Sequence, residues 1–165
     1  PRAVPGQAGV LVGADSDEHD EFGHIDETQE NRIKMTHKRM KKLELLASEL
    51  QVPELYGPED SDITLIGWGS TYGPLSEVVD MLNGEGGSVN LLHFRHIYPL
   101  PVESIRNTLS GSKKIVCVEN NSTGQFARLL GAEAGIGMSE KVLRYDGLPF
   151  SPKSIIADLK EKGVI

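Results

Sequence analysis

Ile63-Thr64-Leu65-Ile66-Gly67-Trp68-Gly69-Ser70-Thr71-Tyr72-Gly73-Pro74-Leu75 carries the chain from one kind of backbone to another. Ile63 to Ile66 is a short apolar run of strand type. Gly67 to Gly73 is a glycine-rich turn, and Pro74 suits the first turn of a helix, where its missing N–H costs nothing. Leu75, Val78, Val79 and Leu82 then fall at i, i+3, i+4 and i+7, one face of a helix that Gly84, Gly86 and Gly87 end.

The same unit recurs downstream. Val89 to Phe94 reads as a second strand, and Val102, Ile105 and Leu109 share one face of the helix after Leu100-Pro101. Ile115 to Val118 is apolar throughout, the mark of a strand covered on both faces. Asn120 to Gly124 is a polar turn before a helix marked by Phe126, Leu129 and Leu130. Val142 to Tyr145 is a fourth strand; Ser151 then caps a last helix with Pro152 behind it and Ile155, Ile156 and Leu159 facing inward. Strands alternating with helices require crossover connections. The expected fold is therefore a doubly wound, mostly parallel, Rossmann-like three-layer α/β sheet. Ligands and partners of such sheets meet the carboxyl ends of the strands, here the turns at residues 67–73, 94–101 and 119–125.

Upstream the pattern changes. Residues 1–30 hold one basic and eight acidic side chains and follow no period of 2 or 3.6. Residues 31–50 hold six basic and two acidic side chains. There Ile33, Met40, Leu43, Ala47 and Leu50 form one apolar stripe of a helix that Val52-Pro53 stops; Tyr56 to Asp60 then reads as a loop. The expected organisation is an acidic arm over 1–29, a linking helix and loop over 30–60, and the α/β domain over 61–165.

Length and composition bound the function. At 165 residues the chain has about one domain's worth of core. With 38 % apolar and 25 % charged residues it is neither disordered nor membranous, and no apolar run approaches the roughly 18 residues of a membrane span. A net charge of −7 argues against nucleic acid as a partner. One cysteine, Cys117, excludes an internal disulfide framework and a self-contained four-cysteine zinc or iron–sulfur site. Pro1 to Pro5 lack the plan of a signal peptide, which with the low cysteine count points to the cytoplasm. The chain starts at Pro1 rather than Met, as a processed product or a piece of something longer would.

The turns offer several chemistries. Gly67 to Gly73 has the spacing GxGxxxG, a loose variant of the dinucleotide fingerprint. In that reading Gly69, Ser70 and Thr71 approach a phosphate at a helix N-terminus and Arg95 takes a 2′-phosphate. The plainer reading is a tight strand-to-helix turn. Asn120, Asn121, Ser122, Thr123, Gly124 and Gln125 form the most polar strand end, fit to hydrogen-bond a ligand or a neighbouring domain. The plainer reading there is helix capping by Ser122 or Thr123, with Asn in left-handed turns. Asp15 to Glu21 with His24, Asp26 and Glu27 has ligand-type side chains, but His19 and His24 are five apart and an acidic cluster of this kind reads as a solvated loop. The basic helix face could attract phosphate or an acidic partner surface, or answer that acidic arm; the plainer reading is a solvated face. Cys117 reads as a buried small hydrophobe. His93 and His96 flank Arg95, and no serine or cysteine has an evident base partner, so no catalytic residue is assigned and a hydrolase is unsupported.

Together the motifs resemble a known family. Glu18-His19-Asp20-Glu21-Phe22-Gly23-His24 before a basic helix, the GWGS turn (Gly67 to Ser70), Ile97-Tyr98-Pro99-Leu100-Pro101 and Val118 to Gln125 are similar to alpha subunits of 2-oxoacid:ferredoxin oxidoreductases, the 2-oxoglutarate type above all. The resemblance implies a transketolase C-terminal-like domain. It also implies a thiamine-diphosphate enzyme that decarboxylates a 2-oxoacid oxidatively to an acyl-CoA and reduces ferredoxin. A beta subunit would hold the diphosphate and Mg²⁺, iron–sulfur clusters would sit on other domains or chains, and the assembly would be a dimer of heteromers. This chain would bind no cofactor alone, would be inactive in isolation, and would serve assembly and substrate access, since the cofactor carries the chemistry. Gly131 and Ala134 depart from the family pattern, which has a basic residue and a threonine there. Two other readings stand: a nucleotide-binding module of NADP type, and the C-terminal domain of a transketolase or of a 2-oxoacid dehydrogenase beta subunit, because fold alone does not settle function.

Overall fold

The computed structural model describes residues 3–10 and 16–165. Pro1, Arg2 and residues 11–15, which include Asp15 of the acidic segment, lie outside the described residues. The chain divides into two compact units, Pro1–Ser48 and Glu49–Ile165.

In the first unit, helix α1 runs Gln29–Glu49. Its basic face does answer the acidic arm: Glu18 accepts from Arg39 at 2.8 and 3.0 Å and from Arg32 at 3.1 Å, and Glu21 meets Lys34 at 2.8 Å. Asp20 Oδ1 accepts the N–H groups of Phe22 and His24 and closes a turn. The expected apolar stripe needs correction. Ile33 and Met40 are more than half exposed, while Asn31 and Met35 are the buried positions. Asn31 is held by its amide on the Asp26 carbonyl, and its N–H by Thr28 Oγ1.

The second unit is the expected α/β layer structure. In chain order it contains β1 (Leu55–Tyr56), β2 (Ile63–Trp68), α2 (Tyr72–Gly84), β3 (Val89–Phe94), α3 (Val102–Leu109), β4 (Lys114–Glu119), α4 (Gln125–Ala134), β5 (Glu140–Leu143) and α5 (Pro152–Glu161). The sheet order is β1-β3-β2-β4-β5, parallel throughout except for β1, which pairs antiparallel with β3. Successive side chains of each strand feed opposite faces. Leu65, Leu91, Val116 and Val118 meet α2 and α5 through Leu75, Val78, Ile155 and Leu159. Ile66, Leu92, Phe94 and Cys117 meet Ile105, Leu109, Phe126 and Leu130 of α3 and α4. Ser151 caps α5 as expected, in a reciprocal pair with Ser154.

Two expectations shift. Tyr56, placed in a loop from sequence, belongs to β1: Leu55 pairs with Leu92 and Tyr56 with Leu91, and the Tyr56 hydroxyl donates to Asp80 of α2. The last strand lies two residues earlier than the Val142–Tyr145 run: the Arg144 N–H makes a last bond to the Glu119 carbonyl, and the chain then turns at Asp146, whose carboxylate accepts from the Arg144 side chain and the Leu148 N–H. Among the described residues, no helix is long and apolar enough to cross a membrane.

Candidate functional site

The chain leaves β2 for β3 on one side and then crosses to β4 on the other. The switch point, the usual ligand crevice of an open α/β sheet, is therefore outside the carboxyl ends of β2 and β4. A fully buried carboxylate, Glu119, occupies it. Its oxygens accept the N–H groups of Phe126 and Ala127 at 2.9 Å each, the Asn121 amide at 2.8 Å and the Cys117 thiol at 3.3 Å, with the Trp68 indole N–H at 3.4 Å. Burial alone would raise the Glu119 pKa; the Ala127 and Phe126 N–H groups, with Asn121 and Cys117, outweigh it and hold the carboxyl below its ordinary range. The same neighbourhood raises the Cys117 thiol well above its usual range, by burial first and the Glu119 charge second.

The polar turn works with this carboxylate. Asn121 Oδ1 accepts the N–H groups of Thr123, Gly124 and Gln125 at 3.1, 2.7 and 3.2 Å. The five consecutive N–H groups from Thr123 to Ala127 are thus all taken by Asn121 and Glu119. A helix N-terminus with free donors attracts an external anion; this one is already filled from within. The expected cap, Ser122 or Thr123, is corrected: Asn121 and Glu119 do the capping. The left-handed residue is Gly124 at φ 64°, not an Asn. What faces solvent from this turn is Asn120, Ser122, Thr123 and Gln125.

The glycine turn is built for close approach. A Cβ on Gly67 would lie 2.3 Å from Leu75 Cδ1 and 2.5 Å from Thr71 Oγ1. Thr71 is buried and donates its hydroxyl to the Trp68 carbonyl at 2.9 Å. Gly69 needs its freedom, at φ 58°. Gly69 and Ser70 are exposed. Beneath the turns, Phe126 packs against Phe94 and Trp68 at ring separations of 4.8 and 6.3 Å. This ties all three strand ends together.

Arg95 lies elsewhere. With His93, His96 and Tyr72 it lines a cleft of about 190 Å³ beside β1, without Gly69, Ser70 or Thr71. The structure does not bring the four residues of the dinucleotide reading into one pocket. The His93 ring packs edge-on to Tyr72 at 5.1 Å, and its Nε2 is buried without a hydrogen-bond partner. Burial holds the His93 imidazole below its ordinary pKa; a backbone contact at Gly69 opposes this, and the Arg95 charge adds to it.

Residues 61–155 match the family model of pyruvate:ferredoxin oxidoreductase core domain II. The chain belongs to that family. Its curated relatives include the alpha subunit of 2-oxoacid:ferredoxin oxidoreductase 1 from Aeropyrum pernix, 34 % identical over 149 residues, which are 86 % of this chain and 23 % of the relative. Another is the alpha subunit of the 2-oxoacid:ferredoxin oxidoreductase from Saccharolobus solfataricus, 35 % identical over 87 % of this chain and 23 % of the relative. The chain thus spans about a quarter of the length of these relatives. Among solved structures it is similar to the 2-oxoglutarate:ferredoxin oxidoreductase from Magnetococcus marinus with 2-oxoglutarate, coenzyme A and succinyl-CoA bound. That match has a TM-score of 0.78 and 30 % identity over 98 % of this chain and 28 % of that one. The resemblance drawn from the motifs is borne out at the level of the family, alpha subunits of 2-oxoacid:ferredoxin oxidoreductases.

Within this family frame, Glu119 lies inside the Val118 to Gln125 motif yet outside the site residues expected from sequence, which begin at Asn120. Its signal is local: a carboxylate ending an apolar strand, followed by the start of a helix. Of the two departures from the family pattern, Gly131 is exposed, with the Ile136 carbonyl oxygen 3.7 Å from its Cβ position, an ordinary contact, whereas Ala134 is buried.

Proposed function

We propose that the chain is the transketolase C-terminal-like domain of the alpha subunit of a thiamine-diphosphate-dependent 2-oxoacid:ferredoxin oxidoreductase. The observation that carries this reading is the whole-chain match in fold and sequence to the 2-oxoglutarate-binding enzyme from Magnetococcus marinus. The reaction would be oxidative decarboxylation of a 2-oxoacid, 2-oxoglutarate by preference, to an acyl-CoA with reduction of ferredoxin. The partner would be a beta subunit in a cytoplasmic dimer of heteromers.

The residues of this chain do not fit the thiamine diphosphate or its Mg²⁺. The α4 N-terminal donors are spent on Glu119 and Asn121, and Thr71 is buried on a carbonyl. Among the described residues no group of three or more His, Cys, Asp or Glu is placed to hold a metal. The diphosphate and metal are therefore assigned to other parts of the enzyme, and this domain to assembly and the shape of the substrate route. In the assembled enzyme, a viologen dye should be reduced by 2-oxoglutarate only with CoA and thiamine diphosphate both present. Reduction with pyruvate but not 2-oxoglutarate would replace the substrate, and no reduction with any 2-oxoacid would remove the reading.

The exposed rim tests the domain's own role. Replacing Asn120, Thr123 and Gln125 together by alanine leaves the Asn121–Glu119 cap intact and should change unfolding stability by less than about 0.5 kcal/mol. It should nevertheless weaken subunit assembly or raise KM several-fold. Asn121 is left out because its loss would unfold the turn. Unaltered assembly and kinetics in the triple variant would show that this rim meets neither subunit nor substrate.

A further inference from the structure

The cleft beside β1 is used neither by the Glu119 cap nor by the exposed rim. Its cationic wall is Arg95, exposed and without a hydrogen-bond or ion-pair partner among the described residues, next to the exposed His96. An unpaired guanidinium presents a planar fork of donors that matches carboxylate and phosphate oxygens. Tyr72 and the rings of Pro53 and Pro99 supply flat, apolar walls. Glu54, also exposed and unpaired, stands in the same lining without pairing with Arg95. A space of about 190 Å³ is below the roughly 300 Å³ of a drug-sized site. It suits an anionic head on a small ring or short carbon body, not a dinucleotide.

We propose that this cleft is a binding site for a small organic anion, its carboxylate or phosphate held by Arg95 and its body lying against Tyr72 and the prolines. Glu54 tunes the site by charge: it repels a ligand that carries nothing but the anionic head and accepts from one that bears a neighbouring hydroxyl or amine. The inference stands apart from the proposed enzyme activity, because the residues involved all lie in this chain.

The test is equilibrium binding to the 165-residue chain, followed by backbone amide resonances in nuclear magnetic resonance. The probes are benzoate for the carboxylate source and phenyl phosphate for the phosphate source. Saturable shifts centred on Leu55, Tyr56, Tyr72 and His96 with either probe support the site, and the tighter probe names the head group. Arg95→Gln should weaken binding at least about tenfold, and Arg95→Lys by less, since Lys keeps the charge but loses the fork. Glu54→Gln should tighten both donor-free probes by a few-fold. No saturable shift up to about 10 mM of either probe, weaker than the affinities worth calling a site, would overturn the proposal. So would binding that Arg95→Gln leaves unchanged.

Discussion

Replacing Glu119 by alanine should cost the second unit about 4 kcal/mol, a large share of a domain's usual 5–15 kcal/mol. The loss has a specific source. The carboxylate is fully buried, and its removal leaves the Phe126 and Ala127 N–H groups, the Asn121 amide and the Trp68 indole facing a void. Each buried donor left unmade costs about 1–3 kcal/mol, partly recovered if water enters. Glu119→Gln keeps the volume and one acceptor but turns an amide N–H₂ towards backbone donors, so about 2 kcal/mol should be lost. Urea unfolding of the three proteins checks the order. A second signature separates charge from volume. The folded pKa of Glu119 lies below its unfolded value of about 4.3. Its ionised form therefore adds stability above that pH, and the contribution fades as pH falls through the folded value. The glutamine variant should lose this part of the acid-limb slope. Wild-type stability to urea in Glu119→Ala would show that the cap has another anchor.

Gly67→Ala should be the second severe change, at about 3 kcal/mol. The new methyl would meet Leu75 Cδ1 and Thr71 Oγ1 well inside contact distance. Both neighbours are buried, and overpacking of this kind costs about 1–3 kcal/mol before any loss of the Thr71–Trp68 hydrogen bond. The other glycines of the turn act as internal controls. Gly69→Ala meets no atom within 4 Å but is strained at φ 58°, for about 1 kcal/mol. Gly73 has open space and lies inside α2, so alanine there should be neutral or slightly stabilising. Thermal melts of the three variants give the ranking. If Gly69→Ala proved the worst of them, the turn would be limited by its left-handed residue and not by how closely β2 and α2 approach.

Much of the fold was legible because its elements are periodic. The step of Leu75, Val78, Val79 and Leu82 and the apolar run at Ile115 to Val118 each admit one kind of buried element, and crossover geometry then dictates a parallel sheet. Short or exposed elements were less legible. β1 has two residues, too few for any period, and depends on the Tyr56–Asp80 hydrogen bond and on β3 as a template. The α1 stripe is not a buried face because apolar spacing reports what can be buried, not what is: of its five residues Ile33, Met40 and Ala47 reach solvent, and Leu43 and Leu50 are half-buried. The candidate site was half legible. Residues 120–125 were singled out for their polarity, yet the choice between capping and recognition turned on Glu119, whose backbone partners sit seven and eight residues further on. The glycine turn and Arg95, joined in the dinucleotide reading, do not line one cleft. Arg95 follows β3 closely in sequence, but its side chain lines the cleft by β1 and not the glycine turn.

The single thiol of the chain sits in the middle of β4, roofed by a carboxylate to which it donates a hydrogen bond. Only the thiolate attacks an alkylating reagent, so Cys117 should be silent while the strand is in place and reactive as soon as it lifts out. When closing outpaces labelling, the modification rate reads the equilibrium population of the opened strand. The protein therefore carries its own clock for the centre of the sheet. The effect of a subunit, a ligand or a rim substitution on that centre can be timed in the unaltered chain, without an added probe.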